Sequence, residues 1–138
     1  MRQLIAITLV LISNAVNAEQ WVVLRESPEG GTSPPGVLVD PTSITILESG
    51  VRRARVKVDS LSRRTDRENL GPTAVSYMIF VNLYDCDKQL TRNESMEAHL
   101  NDGSSQAAVL SKDRKWYPAP ENRAADPTFD FVCGWKPK

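Results

Sequence analysis

Val75-Ser-Tyr-Met-Ile-Phe-Val-Asn-Leu-Tyr84, followed by Asp85-Cys86, is the stretch that decides the fold. Val75, Tyr77, Ile79, Val81 and Leu83 share one face of it, and Met78, Phe80 and Tyr84 lie on the other. A period of two is that of a β-strand, whose successive side chains point to opposite sides of a sheet. Apolar groups on both faces predict a central strand buried on both sides. Cys86 ends it, and the chain's second cysteine, Cys133, lies close to the C-terminus.

What those cysteines do depends on where the chain goes. Met1 to Ala18 has the make-up of an export signal: Arg2, an apolar run from Leu4 to Ile12, then Val16 and Ala18 where a signal peptidase reads. The run is shorter than the roughly 20 apolar residues that span a bilayer, and no later stretch is long and apolar enough either. No cysteine stands at the expected cleavage point, where Glu19 becomes the first mature residue, so no lipid anchor is expected. An exported chain meets an oxidising compartment, where Cys86 and Cys133 are expected to pair as a structural disulfide. Their spacing is unlike the Cys-x-x-Cys of redox sites.

Removing 18 of 138 residues leaves 120, enough for one domain over 19–138 and too few for two. The signal holds one basic and no acidic residue, so the mature chain carries 16 basic against 17 acidic groups, a net charge of −1. No general affinity for nucleic acid follows from that balance.

Working outward from the central strand, short strands alternate with turn residues. Trp21-Val-Val-Leu24 is apolar throughout and predicts a strand covered on both sides. Glu26 to Gly36 is a loop by its Pro, Gly and Ser content, and Val37-Leu-Val39 resumes as strand. Asp40-Pro-Thr-Ser-Ile44 suggests a capped single turn, with Asp40 accepting from the N–H of Thr42 or Ser43. Glu48-Ser-Gly50 marks a tight turn into a strand over 51–58, in which Ala54, Val56 and Val58 face inward and Arg53, Arg55 and Lys57 outward. Ser62 to Asn69 is charged and without periodicity, a loop. Thr91 to His99 and Ser105 to Leu110 form weaker strands around an Asn101-Asp-Gly103 hairpin turn.

Trp116-Tyr-Pro-Ala-Pro120 excludes helix and central strand. Asp126-Pro127 then starts a short helix with Phe129, Val132 and Cys133 on one face. That face carries Cys133 down onto the sheet at Cys86. The predicted fold is α+β: a single antiparallel β-sheet with a short C-terminal helix tied to it by the disulfide.

The order of these elements resembles the surface-adhesin protein E-like family of exported bacterial domains. The shared features are the N-terminal tryptophan strand, Val39-Asp-Pro-Thr-Ser-Ile44, the basic alternating strand, Asp85-Cys86, Trp116 to Pro120, and a last cysteine, together covering Trp21 to Cys133. The resemblance implies an antiparallel sheet with a disulfide-held C-terminal helix, in a protein of the Gram-negative periplasm or cell exterior. It also implies an adhesin-like binding role. This chain departs from the family in lacking the acylated cysteine and in the Pro120-Glu121 and Pro127 interruptions of the terminal helix.

No enzyme, cofactor or metal site is predicted. His99 is the sole histidine, no serine stands in a nucleophile turn, and one imidazole beside two disulfide cysteines gives no ligand cluster. The expected function is a non-enzymatic envelope-associated binding module, with a small hydrolase or ligand carrier as the alternative. The candidate binding residues are Arg53, Arg55 and Lys57, with Arg63, Arg64 and Arg67 in the loop beyond. As a band of like charge they would dock an acidic protein or acidic glycan, or serve to solubilise an edge. A homodimer is the assembly considered for such a module.

Overall fold

A computed structural model describes residues 19–26, 35–47, 49–59 and 74–138. The signal segment, the loop arginines Arg63, Arg64 and Arg67, and most of the Glu26–Gly36 loop therefore lie outside the described residues. The strands are β1 (Val22–Arg25), β2 (Val37–Ile46), β3 (Val51–Asp59), β4 (Val75–Asp85), β5 (Leu90–Leu100), β6 (Ser105–Val109) and β7 (Tyr117–Pro118). One helix, α1 (Thr128–Gly134), follows. All pairings are antiparallel, in the order β1-β2-β3-β4-β5-β6, with β7 joined to β5. Among the described residues the protein is thus mostly one antiparallel meander with a single short helix.

Tight turns join β2 to β3, β4 to β5 and β5 to β6. Leu47 N–H bonds Val51 O and Gly50 N–H bonds Leu47 O, and the Leu100–Ser104 turn repeats that pattern through Gly103. Gly50 (φ +75°) and Gly103 (φ +86°) occupy the left-handed position that ends such a three-residue loop, where a side chain is strained. The Cys86–Gln89 turn places Gln89 itself at φ +55°.

The register of β3 against β4 sorts the two faces. Val56 sits opposite Phe80, Ala54 opposite Asn82 and Arg52 opposite Tyr84 on the face that receives α1. Val37, Val39, Ala54, Val56 and Tyr84 from the sheet, with Phe129 and Val132 from α1, make the buried core there. Phe129 and Val132 are one turn apart, so both reach the sheet, as the helical spacing predicts. Asp126 Oδ1 accepts from the N–H of Thr128 (3.1 Å) and caps α1. Cys86 and Cys133 are joined by a disulfide with Cα atoms 5.6 Å apart. Arg52 adds a clamp that the sequence did not reveal: its Nη1 donates to Val132 O (2.8 Å), which also accepts from Trp135 N–H, and to Trp135 O (2.5 Å), at the helix C-terminus.

Two expectations are corrected. Trp21–Leu24 predicted a strand covered on both sides, but β1 is the sheet's first edge, with Val22 and Val23 exposed. An apolar run records side-chain type, and coverage depends on how far α1 reaches across the sheet. Asp40–Ile44 is no helical turn either. It is an irregularity inside β2, where the pairing jumps from Asp40–Arg55 to Thr45–Arg53. The anticipated bond is there, since Asp40 Oδ1 accepts from Thr42 N–H (3.0 Å), but the chain stays extended. Ser43 Oγ bridges the gap in the ladder, donating to Asp40 O (2.6 Å) and accepting from the N–H of Arg55 (2.8 Å). Ser43→Ala leaves that N–H without its partner and is expected to cost about 1–3 kcal/mol in urea unfolding, whereas Ser43→Thr retains most of the stability.

Candidate functional site

The face of the sheet away from α1 carries the basic residues singled out from the sequence. Alternation places Arg53, Arg55 and Lys57 there together, beside Tyr77, Ile79 and Val81 of β4. Each meets a partner there. Arg53 makes a two-pronged pair with Glu94 of β5, Nε to Oε2 at 2.6 Å and Nη2 to Oε1 at 2.9 Å. Those hydrogen bonds hold its guanidinium even more firmly protonated than usual. Arg55 pairs with Glu19. Lys57 Nζ lies over the Tyr77 ring, 4.2 Å from its centroid, with Trp21 on its other side at 5.9 Å. Arg53 and Arg55 are thus ion-paired, whereas Lys57 keeps its charge over aromatic rings, so the row presents less free charge to an acidic partner than its sequence suggests.

Glu94 was invisible as the partner because its position comes from an irregularity. Pairing of β4 with β5 shifts between Val81–Ser95 and Asn82–Asn93, leaving Glu94 as an extra residue. Free cations gather elsewhere. Among the described residues Lys112, Arg114 and Lys115 have no ion pair, and they stand exposed in the turn after β6.

His99 lies on the same face as Tyr77. Its ring stacks on Tyr77 at 4.3 Å and 13°, and Nε2 comes within 2.5 Å of Glu97 Oε1 without the angle of a hydrogen bond. Ser105 is its cross-strand neighbour, yet no hydrogen bond joins them. A stacked imidazole in mid-strand has the surroundings of a packing residue. Among the described residues no group of three His, Cys, Asp or Glu side chains is placed to hold a metal ion.

Among the described strands, β6 is exposed along its whole length. Every residue from Ser105 to Val109 is exposed, Val109 to 89%, and none carries a charge. Hydrogen bonds from Leu110 N–H to Glu94 O and from Leu100 N–H to Ser104 O fix the ladder's phase. Antiparallel bonding alternates, so Gln106 and Ala108 bond inward to β5, and Ser105, Ala107 and Val109 turn their N–H and C=O groups outward. Beside this edge, Ile79, Val81 and Ala107 border a shallow hollow of about 190 Å³ on the open face.

On the helix side, the segment 125–128 and the sheet enclose a second cleft of about 250 Å³, with Val56, Val58 and Phe80 on its walls. Buried Tyr84 hydrogen-bonds Thr128 of that segment. Desolvation pushes the Tyr84 phenol up to about 12, despite the opposing hydrogen bonds with Thr128 and Asn82.

Comparison with protein-family models, with characterised proteins and with solved structures gave no match. No helix among the described residues is long and apolar enough to cross a membrane.

Proposed function

We propose that this is an exported, non-enzymatic binding module whose protein partner adds an extended segment to the β6 edge. The observation that carries this is the edge itself: outward N–H and C=O groups on three alternate residues, without the charge, proline or cover that guards most sheet edges. Main-chain bonds would supply affinity, and the adjoining hollow would take alternate side chains of the added strand. Lys112, Arg114 and Lys115 lie just past the C-terminal end of β6, so an antiparallel partner fits best with acidic residues at its N-terminal end. The resemblance to adhesin-like exported domains supports a binding role in the periplasm or outside a Gram-negative cell, as does the Met1–Ala18 signal pattern. The stacking of half-buried His99 on Tyr77 favours a binding module over a hydrolase.

The test is amide hydrogen exchange on the oxidised protein with the peptide Asp-Asp-Thr-Val-Thr-Val-Thr. The peptide is expected to slow exchange at Ser105, Ala107 and Val109 and not at inward-bonded Gln106 and Ala108. Raising the salt from about 0.1 M to about 1 M, which cuts the Debye length from about 10 Å to about 3 Å, should weaken the protection. Ala107→Pro deletes one outward N–H, leaves the ladder to β5 intact, and should abolish it. Protection that is absent, or unchanged by Ala107→Pro, rules out strand addition here.

A second copy of the chain is the other occupant that the geometry favours. Self-pairing centred on Ala107 sets Ser105 opposite Val109 and brings Asp102 of each copy near Lys112 of the other. Sedimentation as a dimer, with the same amides protected without peptide, would assign the edge to self-association.

A further inference from the structure

Between β6 and β7 the chain carries more residues than the sheet edge has room for. Val109 pairs with Ser95 and Tyr117 with Thr91, so residues 110–116 stand against residues 92–94 of β5 alone. The excess chain must leave the line of the edge. It does so as a built turn: Arg114 N–H bonds Ser111 O (3.2 Å) and Asp113 N–H bonds Ser111 Oγ (3.2 Å). Arg92 of β5 ties the turn to the sheet. Its Nη1 donates to Lys112 O (2.8 Å) and Arg114 O (3.4 Å), and its guanidinium lies over the Trp116 ring, 4.9 Å from the centroid.

What the turn offers to solvent is positive charge. Lys112, Arg114 and Lys115 are exposed, and among the described residues none of them has an ion pair. Asp113 is the one acidic residue from Val109 to Tyr117, so three cations and one anion make this stretch +2 in a mature chain of net charge −1. Apolar groups flank it, Val109 being 89% exposed and Tyr117 55%. The pairings put them on opposite faces: Val109 shares the open face with Ser95 and Val81, and Tyr117 the α1 face with Thr91 and Tyr84. Unpaired cations along an edge, with an exposed valine and tyrosine to either side, match a membrane surface, where anionic phosphates overlie the start of the hydrocarbon. A soluble polyanion would use the cations and leave Val109 and Tyr117 without a role.

We propose that the edge from Val109 to Tyr117 docks the domain on an anionic membrane surface. Lys112, Arg114 and Lys115 meet lipid phosphates, while Val109 and Tyr117 enter the boundary between headgroups and acyl chains. The domain is held edge-on and does not cross the bilayer. Each basic residue near an anionic leaflet strengthens binding about fivefold, so three contribute roughly a hundredfold, and Asp113 offsets about fivefold of it. This docking goes beyond strand addition and needs no added strand, since it uses side chains of the turn rather than the outward N–H groups of β6.

The experiment is co-sedimentation of the oxidised mature protein, residues 19–138, with vesicles of phosphatidylcholine alone and of phosphatidylcholine and phosphatidylglycerol in equal parts. Binding is expected to the anionic vesicles and to be at least about tenfold weaker to the neutral ones. Replacing Lys112, Arg114 and Lys115 together by Ser should weaken it about a hundredfold. Asp113→Asn should strengthen it about fivefold, a gain that a damaged fold cannot produce. Replacing Val109 and Tyr117 together by Ser should weaken vesicle binding severalfold and leave any binding to soluble dextran sulfate unchanged. Ala107→Pro should leave vesicle binding intact, which separates a failure of docking from a failure of strand addition. Equal binding to the two vesicles, or no gain in Asp113→Asn, overturns the proposal. Binding to dextran sulfate without binding to vesicles assigns the cations to a soluble polyanion and overturns it too.

Discussion

Replacing Cys86 and Cys133 together by alanine is expected to lower stability by about 4 kcal/mol, the largest effect of any change that leaves the core packing in place. The bond closes a loop between residues 47 apart, and the chain-entropy estimate for a loop of that length is about 4 kcal/mol. A domain of this size has only about 5–15 kcal/mol in all. The loss should show first in α1. Seven residues are far fewer than the roughly 12–15 that sustain a helix in water, so this helix exists through its attachments. Phe129, Val132 and the Arg52 clamp remain in the variant, so native structure should persist with faster amide exchange over α1. Urea unfolding of oxidised, reduced and doubly substituted protein measures this. Agreement of the reduced and substituted proteins, both well below the oxidised one, is the expected result. A loss under about 1 kcal/mol would show that the bond constrains the unfolded chain little.

The second large effect is a loss of stability at alkaline pH, assigned to Tyr84. Its side chain is fully buried and its phenol is raised to about 12, with burial the leading cause. An unfolded tyrosine titrates near 10. Between those values the unfolded chain releases a proton that the native state retains, so unfolding becomes more favourable as pH rises. The contribution is complete below pH 10 and is lost progressively towards pH 12, about 3 kcal/mol over two pH units. Tyr84→Phe should start about 1 kcal/mol lower, through loss of its bonds with Thr128 and Asn82, and then show a flatter decline. Parallel declines in the two proteins between pH 10 and 12 would assign the alkaline loss to other groups.

Much of the architecture was legible because it rests on local rules. The alternation over 75–84 marked β4, which lies inside the sheet with β3 and β5 on either side. The Asn101-Asp-Gly103 turn joined its two strands, and Asp126-Pro127 started α1. Each depends on side-chain period, on a glycine able to take positive φ, or on a side chain bonding to the backbone two residues away. The paired cysteines behaved similarly: they are the chain's only two, and oxidation leaves each with only the other.

The candidate site was far less legible, and its failures share a cause. The sequence determined that Arg53, Arg55 and Lys57 stand in a row on one face. Which of those charges are paired depends on Glu94, 41 residues from Arg53 and displaced by an irregularity in β5, and on Glu19 before β1. Trp21–Leu24 was apolar enough for a covered strand, but β1 forms the sheet's edge and leaves Val22 and Val23 exposed. The open β6 edge has no local signature either, since Ser105-Gln-Ala-Ala-Val109 is an edge because no further strand among the described residues pairs beyond it. Periodicity, turn chemistry and capping act over a few residues and are written in the chain. Ion pairing, edge exposure and the hydrogen bonds of buried Tyr84 depend on which distant groups meet, and the tertiary structure alone decides that.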